Sequence, residues 1–328
     1  MRTAVISLFI ALAALETLVG SFLFLYDGTP FPSLIRRPLS PGCGETPLQG
    51  LVANIYPQPN ESYPLAKDQA FVTICSSDDY CRGALALMLS LRQTGTTRHL
   101  VVMYSPKEIS PSTLTILQQF HPSLHLVPFD PSAYRPSQRT IDELERIHKP
   151  HWKNSFTKLA AFSLTNFTKV IYIDSDSLVV QNIDELFLLP HFSCTYQSNH
   201  EPCSPRTVDE EDDTFQHINS GLFVTRPSQR LFQELMGHLA DPSAVWWNGD
   251  QQILLHHFGP QWNRLPQVYS VGIDACACGP DVYRPSSIKV VHFYKGKPWS
   301  PPSSDRHPCT RSFYRLWQQY TRNITTTP

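Results

Sequence analysis

The sequence predicts an α/β domain built on a mainly parallel central sheet. Between Gln69 and Ile173, short apolar runs alternate with segments of helical spacing, the order that strand–helix–strand units require. The run Lys169-Val170-Ile171-Tyr172-Ile173 is the most strongly apolar strand of this half. It suits a strand buried on both faces. It also ends directly on Asp174, and ligands of such sheets sit at the carboxyl ends of strands.

Ala70-Phe71-Val72-Thr73-Ile74-Cys75 is read as the first strand. Leu85, Met88, Leu89 and Leu91 fall at helical spacing within 80–93, and residues 100–104 supply the second strand. A helix follows over 110–120, with Ser110 as N-cap and Pro111 at the first helical position. Residues 124–127 form a third strand, 154–164 a helix and 169–173 a fourth strand. The second half is less regular: strands at 191–195 and 221–225 flank an acidic loop at 205–213. Helices are expected over 229–239 and 250–258, and residues 289–293 form a late strand. No internal repeat and no second core is visible, so 67–328 reads as one catalytic domain.

Composition narrows the class. The 328 residues are 41% hydrophobic and 17% charged, an ordinary globular balance. A formal net charge of −1 leaves no basic field to attract nucleic acid. Residues 4–26 are almost wholly apolar, broken by Glu16. That exceeds the apolar stretch of about 7–15 residues in a signal peptide and reaches the roughly 20 needed to cross a bilayer. Residues 1–26 are therefore read as a signal-anchor transmembrane segment. A cleaved signal peptide is the alternative, because a mid-bilayer acid such as Glu16 costs about 2.5–3.5 kcal/mol. Residues 27–66 carry eight prolines without periodicity and form a Pro-rich stem. This plan predicts a single-pass type II protein of the secretory pathway, in the Golgi membrane, or a secreted protein if the signal is cleaved. Acceptor tripeptides for N-glycosylation at Asn60, Asn166 and Asn323 agree with a lumenal address. Eight cysteines are unremarkable for this length unless the compartment is oxidising. Cys194 with Cys203, and Cys43 or Cys309 with Cys276 or Cys278, are the pairs considered, and connectivity cannot be read from sequence.

Asp174 and Asp176 stand one residue apart just after a buried strand, where two carboxylates can converge on one hard cation. Aspartates also serve as turn and helix caps, so the spacing alone does not decide. His292 ends the late apolar strand and can complete a mixed oxygen and nitrogen shell suited to manganese. Its bland counterpart is a core histidine bonded to backbone. Lys295 and Lys297 follow closely and can neutralise phosphates as point charges, or simply face solvent. Asn219-Ser220-Gly221 precedes a strand, and its glycine permits close backbone approach. Asn248-Gly249-Asp250-Gln251 precedes a helix and offers a carboxylate and an amide, or merely a turn and a cap.

Taken in order, these residues resemble glycosyltransferase family 8, which includes glycogenin, galactinol synthase and plant xylan glucuronosyltransferases. The resemblance runs from Phe156-Thr157-Lys158-Leu159 through Asp174-Ser175-Asp176 to Asn182-Ile183-Asp184-Glu185-Leu186-Phe187. The opening Gln69 to Thr73, then Tyr80 and Arg82-Gly83-Ala84-Leu85, resembles the glycogenin amino terminus. Asn219-Ser220-Gly221, Gly249-Asp250-Gln251 and His292-Phe293 through Lys297-Pro298-Trp299 follow in family order. Ordered motifs over roughly 69–299 are more specific than any one of them. Four departures stand out: Ser77 replaces the asparagine of glycogenin, Asp-Ser-Asp replaces the commoner Asp-Ala-Asp, His292 to Lys297 is one residue tighter, and Gly296 is displaced from the usual glycine position.

The resemblance implies a Rossmann-like, GT-A type nucleotide-sugar domain and transfer with retention. It assigns Asp174, Asp176 and His292 to a manganese ion or another divalent cation. Ile74, Ser76, Ser77 and Tyr80 would hold uridine, with Cys75 and Cys81 close by. Lys158, Asp174 and Ser175 join the nucleotide side, and Lys297 would meet the diphosphate. Asn219, Ser220, Gly221, Asp250 and Gln251 would line the sugar, with Asp250, Gln251 and Lys297 as catalytic candidates. A UDP-sugar donor and a glycan or other hydroxyl acceptor are the expected partners. Two rival readings are a glycogenin-like self-glucosylating primer and an inactive nucleotide-sugar-binding scaffold. A metallohydrolase built on His148 and His151 rests on one loose pair and is set aside.

Overall fold

Strands β1 (Gln69–Cys75), β2 (His99–Tyr104), β3 (Leu124–Pro128) and β4 (Lys169–Ile173) lie parallel, as their apolar runs predict. The structure, a computed structural model, describes residues 68–120, 124–196, 217–273, 275, 285–294, 296–300, 308–322 and 324. The segment expected as a membrane anchor, 1–26, the expected stem 27–66, the loop 205–213, Asn60 and Asn323 lie outside the described residues. Among those described, no helix is long and apolar enough to cross a membrane.

β7 (Ile218–Thr225) joins β4 antiparallel, β6 (Ser193–Tyr196) joins β7 antiparallel, and β8 (Asn263–Arg264) closes the edge parallel to β6. The sheet order is β3-β2-β1-β4-β7-β6-β8, so the mainly parallel sheet is observed with antiparallel pairing added beyond β4. A second sheet of three short strands was not anticipated. In it β10 (Val290–His292) lies between β5 (Ser177–Val179), antiparallel, and β9 (Val271–Gly272), parallel.

Side chains of β4 alternate between two cores, as the period of a strand dictates. Val170 and Tyr172 enter the core with Phe156, Phe162 and Phe223, while Ile171 and Ile173 enter the one with Phe71, Leu85 and Met88. Phe223 stacks on Phe162 at 5.2 Å and on Tyr172 at 4.9 Å, which seats the end of β4 against β7.

Helix α1 (Asp78–Gln93) begins two residues earlier than its apolar spacing shows. Ser77 is its N-cap, accepting from Tyr80 N at 3.4 Å, and Asp78 and Asp79 favour its positive end. Helix α2 (Pro111–Phe120) starts as expected, with Ser110 Oγ accepting from Thr113 N at 3.2 Å. Helix α3 (Gln138–Arg146) was not read, since only Ile141 and Leu144 mark its buried face with an apolar side chain. The stretch 154–164, expected as a helix, instead falls up to Ser163 in a run of 3-10 turns, Pro150–Ser163, with Leu164 as its cap. Thr157 and Ser163 each donate to the carbonyl three residues back, at 2.7 Å, a local bond that competes with the α-helical ladder. Helices α4 (Gln229–Ala240) and α5 (Asp250–Phe258) fall where predicted, and α6 (Pro308–Thr321) closes the described chain.

Candidate functional site

β4 ends on Ile173, and the next amide, Asp174 N, donates to Gly221 O on β7 at 2.8 Å. The chain then turns through buried Ser175 and Asp176 into β5. β5 pairs with β10 in the register His292↔Ser177, and Phe293 N donates to Asp176 O at 2.9 Å. This pairing brings residues more than a hundred positions apart into contact. His292 Nε2 lies 3.3 Å from Asp176 Oδ1 and 3.7 Å from Asp174 Oδ2. One ligand atom from each of the three lies within 4.8 Å of the others. Two carboxylates and an imidazole form a donor set that fits a divalent cation such as manganese. The far ring nitrogen of His292 faces Ser270 Oγ at 3.4 Å, the kind of outer contact that fixes a ligand's orientation.

Two lysines flank the triad. Lys158 Nζ donates to Asp174 Oδ2 at 2.9 Å and to Ser220 Oγ at 3.1 Å, and Tyr172 OH donates to Asp174 Oδ1 at 2.9 Å. Burial alone would lower the Lys158 ammonium, but Asp174 and Asp250 outweigh it and hold its pKa above the usual range. Lys297 Nζ pairs with Asp176 Oδ2. Burial pushes the Asp176 carboxyl up, yet His292 and Lys297 together hold it below the ordinary carboxylate range. Tyr172 was missed by sequence reading, although its place two residues before Asp174, on the same side of the strand, is a usable signal.

Asn219-Ser220-Gly221 lies inside β7 and does not precede it, a correction to the expected boundary. The pairing of β6 with β7 slips here, from Cys194↔Phe223 to Thr195↔Asn219. Asn219 Oδ1 accepts from Gly221 N at 2.9 Å, and Thr195 Oγ1 bridges to Asn219 O at 2.7 Å and Leu222 O at 3.3 Å. Such bulges re-aim side chains beside functional sites. Ser220 N donates to Gln251 Oε1 at 3.2 Å, which ties the bulge to the first turn of α5. Gly249 caps α5 with φ +63, a conformation that favours glycine, and a Cβ there would lie 2.5 Å from Ser155 Oγ. Ser155 Oγ in turn accepts from Asp250 N at 3.2 Å. Asp250 is 2% exposed, and among the described residues its Oδ2 has no hydrogen-bond partner. Burial raises its carboxyl pKa, against the pull of Lys158.

The remaining nucleotide-side candidates gather at the end of β1. Ile74 is buried, Ser76 and Ser77 are half-buried in the turn, and the Tyr80 ring meets Trp299 edge-on at 4.7 Å. Lys297 Nζ stands 5.7 Å from the centre of the Tyr80 ring, so this cluster adjoins the triad. Ser175 contributes backbone: its carbonyl packs so closely on α1 that a Cβ at Gly83 would lie 2.5 Å away. A disulfide joins Cys75 to Cys81 across the turn, a pairing the sequence reading did not make. Cys194 is buried and free among the described residues, and its suggested partner Cys203 lies outside them. Asn166 is exposed in a turn.

Comparison with known proteins agrees with this geometry. Residues 71–301 match Glycosyl transferase family 8. The chain is 33% identical over 243 residues to human Glycogenin-1, covering 71% of this chain and 63% of that protein. It is 31% identical over 242 residues to human Glycogenin-2, covering 71% of this chain and 44% of the relative. The chain therefore spans about half to two thirds of the length of these relatives. A galactosyltransferase, LgtC, solved with donor and acceptor sugar analogues, shares the fold, with a TM-score of 0.53 at 15% identity over 79% of this chain and 97% of that one. Motif order, fold and match lead to one assignment: the chain belongs to glycosyl transferase family 8.

Proposed function

We propose that the protein transfers a sugar from a UDP-sugar to a hydroxyl of a glycan or other acceptor, with retention and with manganese or another divalent cation. The observation that carries this reading is the convergence of Asp174, Asp176 and His292 between two lysines. A divalent cation held by those three side chains supplies Lewis acidity to a departing diphosphate. Lys297 adds a second positive charge where the leaving group becomes more negative. Lys158 and Tyr172 hold the two oxygens of Asp174 in place. On the other side of Lys158, the Ser220 amide fixes Gln251, and Ser155 fixes the backbone of Asp250. In this reading Asn219, Ser220, Gly221, Asp250 and Gln251 border the sugar, and Ile74, Ser76, Ser77 and Tyr80 border the uridine.

Hydrolysis of a panel of UDP-sugars by the purified full chain tests the proposal. Manganese-dependent release of UDP from at least one donor, lost on adding a chelator, is the expected result. No release from any donor would leave the inactive-scaffold reading. Similarity to the glycogenins favours a second reading, a self-glucosylating primer. Incubation with UDP-glucose and manganese, followed by intact mass, separates the two, because a self-primer gains hexose without added acceptor.

The same proposal places the protein in the secretory pathway, as a single-pass type II Golgi membrane protein. The apolar segment 4–26, the exposed Asn166 and the Cys75–Cys81 disulfide support it, since structural disulfides belong mainly to oxidising compartments. Expressed in animal cells, the protein should migrate faster after endoglycosidase treatment. An Asn166→Gln variant should lose one glycan step; an unchanged band in both cases would argue for a cytosolic address.

A further inference from the structure

The family match stops at residue 301, yet α6 beyond it packs onto α1 and reaches the loop that carries Lys297. Tyr314 is 2% exposed, and its hydroxyl donates to Gly296 O, the carbonyl immediately before Lys297, at 2.8 Å. The Tyr314 ring meets Phe293 edge-on at 5.4 Å, and Phe293 N is bonded to Asp176 O. One turn further along α6, Trp317 lies 6.4 Å from Trp299 and under the Arg82 guanidinium of α1 at 5.8 Å. At the start of the helix, Thr310 Oγ1 donates to Ile273 O, next to β9, at 3.1 Å. The helix thus holds the 293–299 loop at Phe293, Gly296 and Trp299, on both sides of Lys297.

We propose that α6 is a buttress for this loop and that Tyr314 is a positioning residue acting through Lys297. The proposal rests on the reading of Lys297 as a diphosphate contact. Lys297 is held on the Asp176 side by its ion pair and on the backbone side by the Tyr314 bond to Gly296. Without that bond the peptide before Lys297 can rotate, and the ammonium no longer meets the diphosphate in one place. In this reading uridine is held by the end of β1 and the face of the Tyr80 ring, while the ammonium, 5.7 Å from that ring's centre, meets the diphosphate.

The test uses the full chain, with Tyr314→Phe, which keeps the ring and its packing, and Lys297→Ala. Calorimetric titration with UDP in manganese should show affinity reduced about fivefold in Tyr314→Phe, the scale of one hydrogen bond, with uridine affinity unchanged. Adding Tyr314→Phe to Lys297→Ala should cause no further loss of UDP affinity. Equal losses for UDP and uridine, or full additivity of the two substitutions, would overturn the proposal. A second measurement needs no ligand: brief labelling with acetic anhydride, read by peptide mass, with exposed Lys107 as reference. Lys297 should label several-fold faster in Tyr314→Phe than in the parent, and an unchanged Lys297 to Lys107 ratio would overturn the buttress. Failure of the parent to bind UDP would instead count against the functional reading, and the labelling ratio would still judge the role of Tyr314.

Discussion

Asp176→Asn should lower manganese-dependent turnover of a UDP-sugar by at least about a hundredfold while leaving the protein folded. Loss of an outer contact to a metal ligand already costs roughly 10- to 100-fold, and loss of a ligand's charge exceeds that. Asparagine keeps the volume of a side chain that is 3% exposed, and its carbonyl oxygen can still accept from Lys297. What disappears is the negative charge, which His292 and Lys297 stabilise in the fold against the opposing effect of burial. A carboxyl whose folded pKa is depressed adds stability above its unfolded pKa of about 3.9 and loses that stability as pH falls towards the folded value. The variant should therefore show a flatter fall in melting temperature below pH 4 than the parent. Manganese should raise the melting temperature of the parent at neutral pH and leave the variant unmoved, because a ligand stabilises only the state that binds it. An equal manganese-induced rise in both proteins would remove Asp176 from the metal site.

Much of this was legible in the chain because the parallel strands β1, β2 and β4 are buried on both faces. β1 and β4 appear as continuous apolar runs, and Asp174 follows β4 without a gap. The antiparallel half was harder to read. β5 has three residues, too short for periodicity to speak, and although β10 was legible as the late strand at 289–293, its pairing with β5, which delivers His292 to Asp176, was not. Asn219-Ser220-Gly221 looks like a turn ahead of a strand because it is polar and contains glycine. It lies inside β7 because Asn219 and Thr195 satisfy the backbone of the bulge. Hydroxyl bonds from Thr157 and Ser163 likewise replaced a predicted α-helix with 3-10 turns, while Lys158 still reached Asp174. The Cys75–Cys81 bond follows from how tightly the chain turns from β1 into α1, with 4.6 Å between the two Cα atoms. That distance belongs to the turn's three-dimensional path and not to cysteine spacing.

Gly221→Ala should cost the site its third ligand, although alanine is otherwise an ordinary strand residue. The backbone at Gly221 does not adopt positive φ, so space alone demands glycine there. A Cβ at this position would lie 2.6 Å from His292 Cε1, 3.0 Å from His292 Nδ1 and 2.9 Å from Asn219 Oδ1. β7 cannot easily retreat, because Gly221 N is held by Asn219 and Gly221 O by Asp174 N. Any shift of the strand would drag Asp174 with it, so the His292 ring has to move. The expected result is at least a tenfold loss of manganese affinity, with a stability cost of about 1–3 kcal/mol from overpacking. The decisive control is the double variant with His292→Ala, which removes the nearest of these contacts and leaves the one with Asn219 Oδ1. In that background the stability cost of Gly221→Ala should be clearly smaller, since residues in contact are not additive. Urea denaturation of the four proteins measures this coupling. Equal costs in both backgrounds would mean that Gly221 serves the bulge alone and that the imidazole does not need the space it leaves.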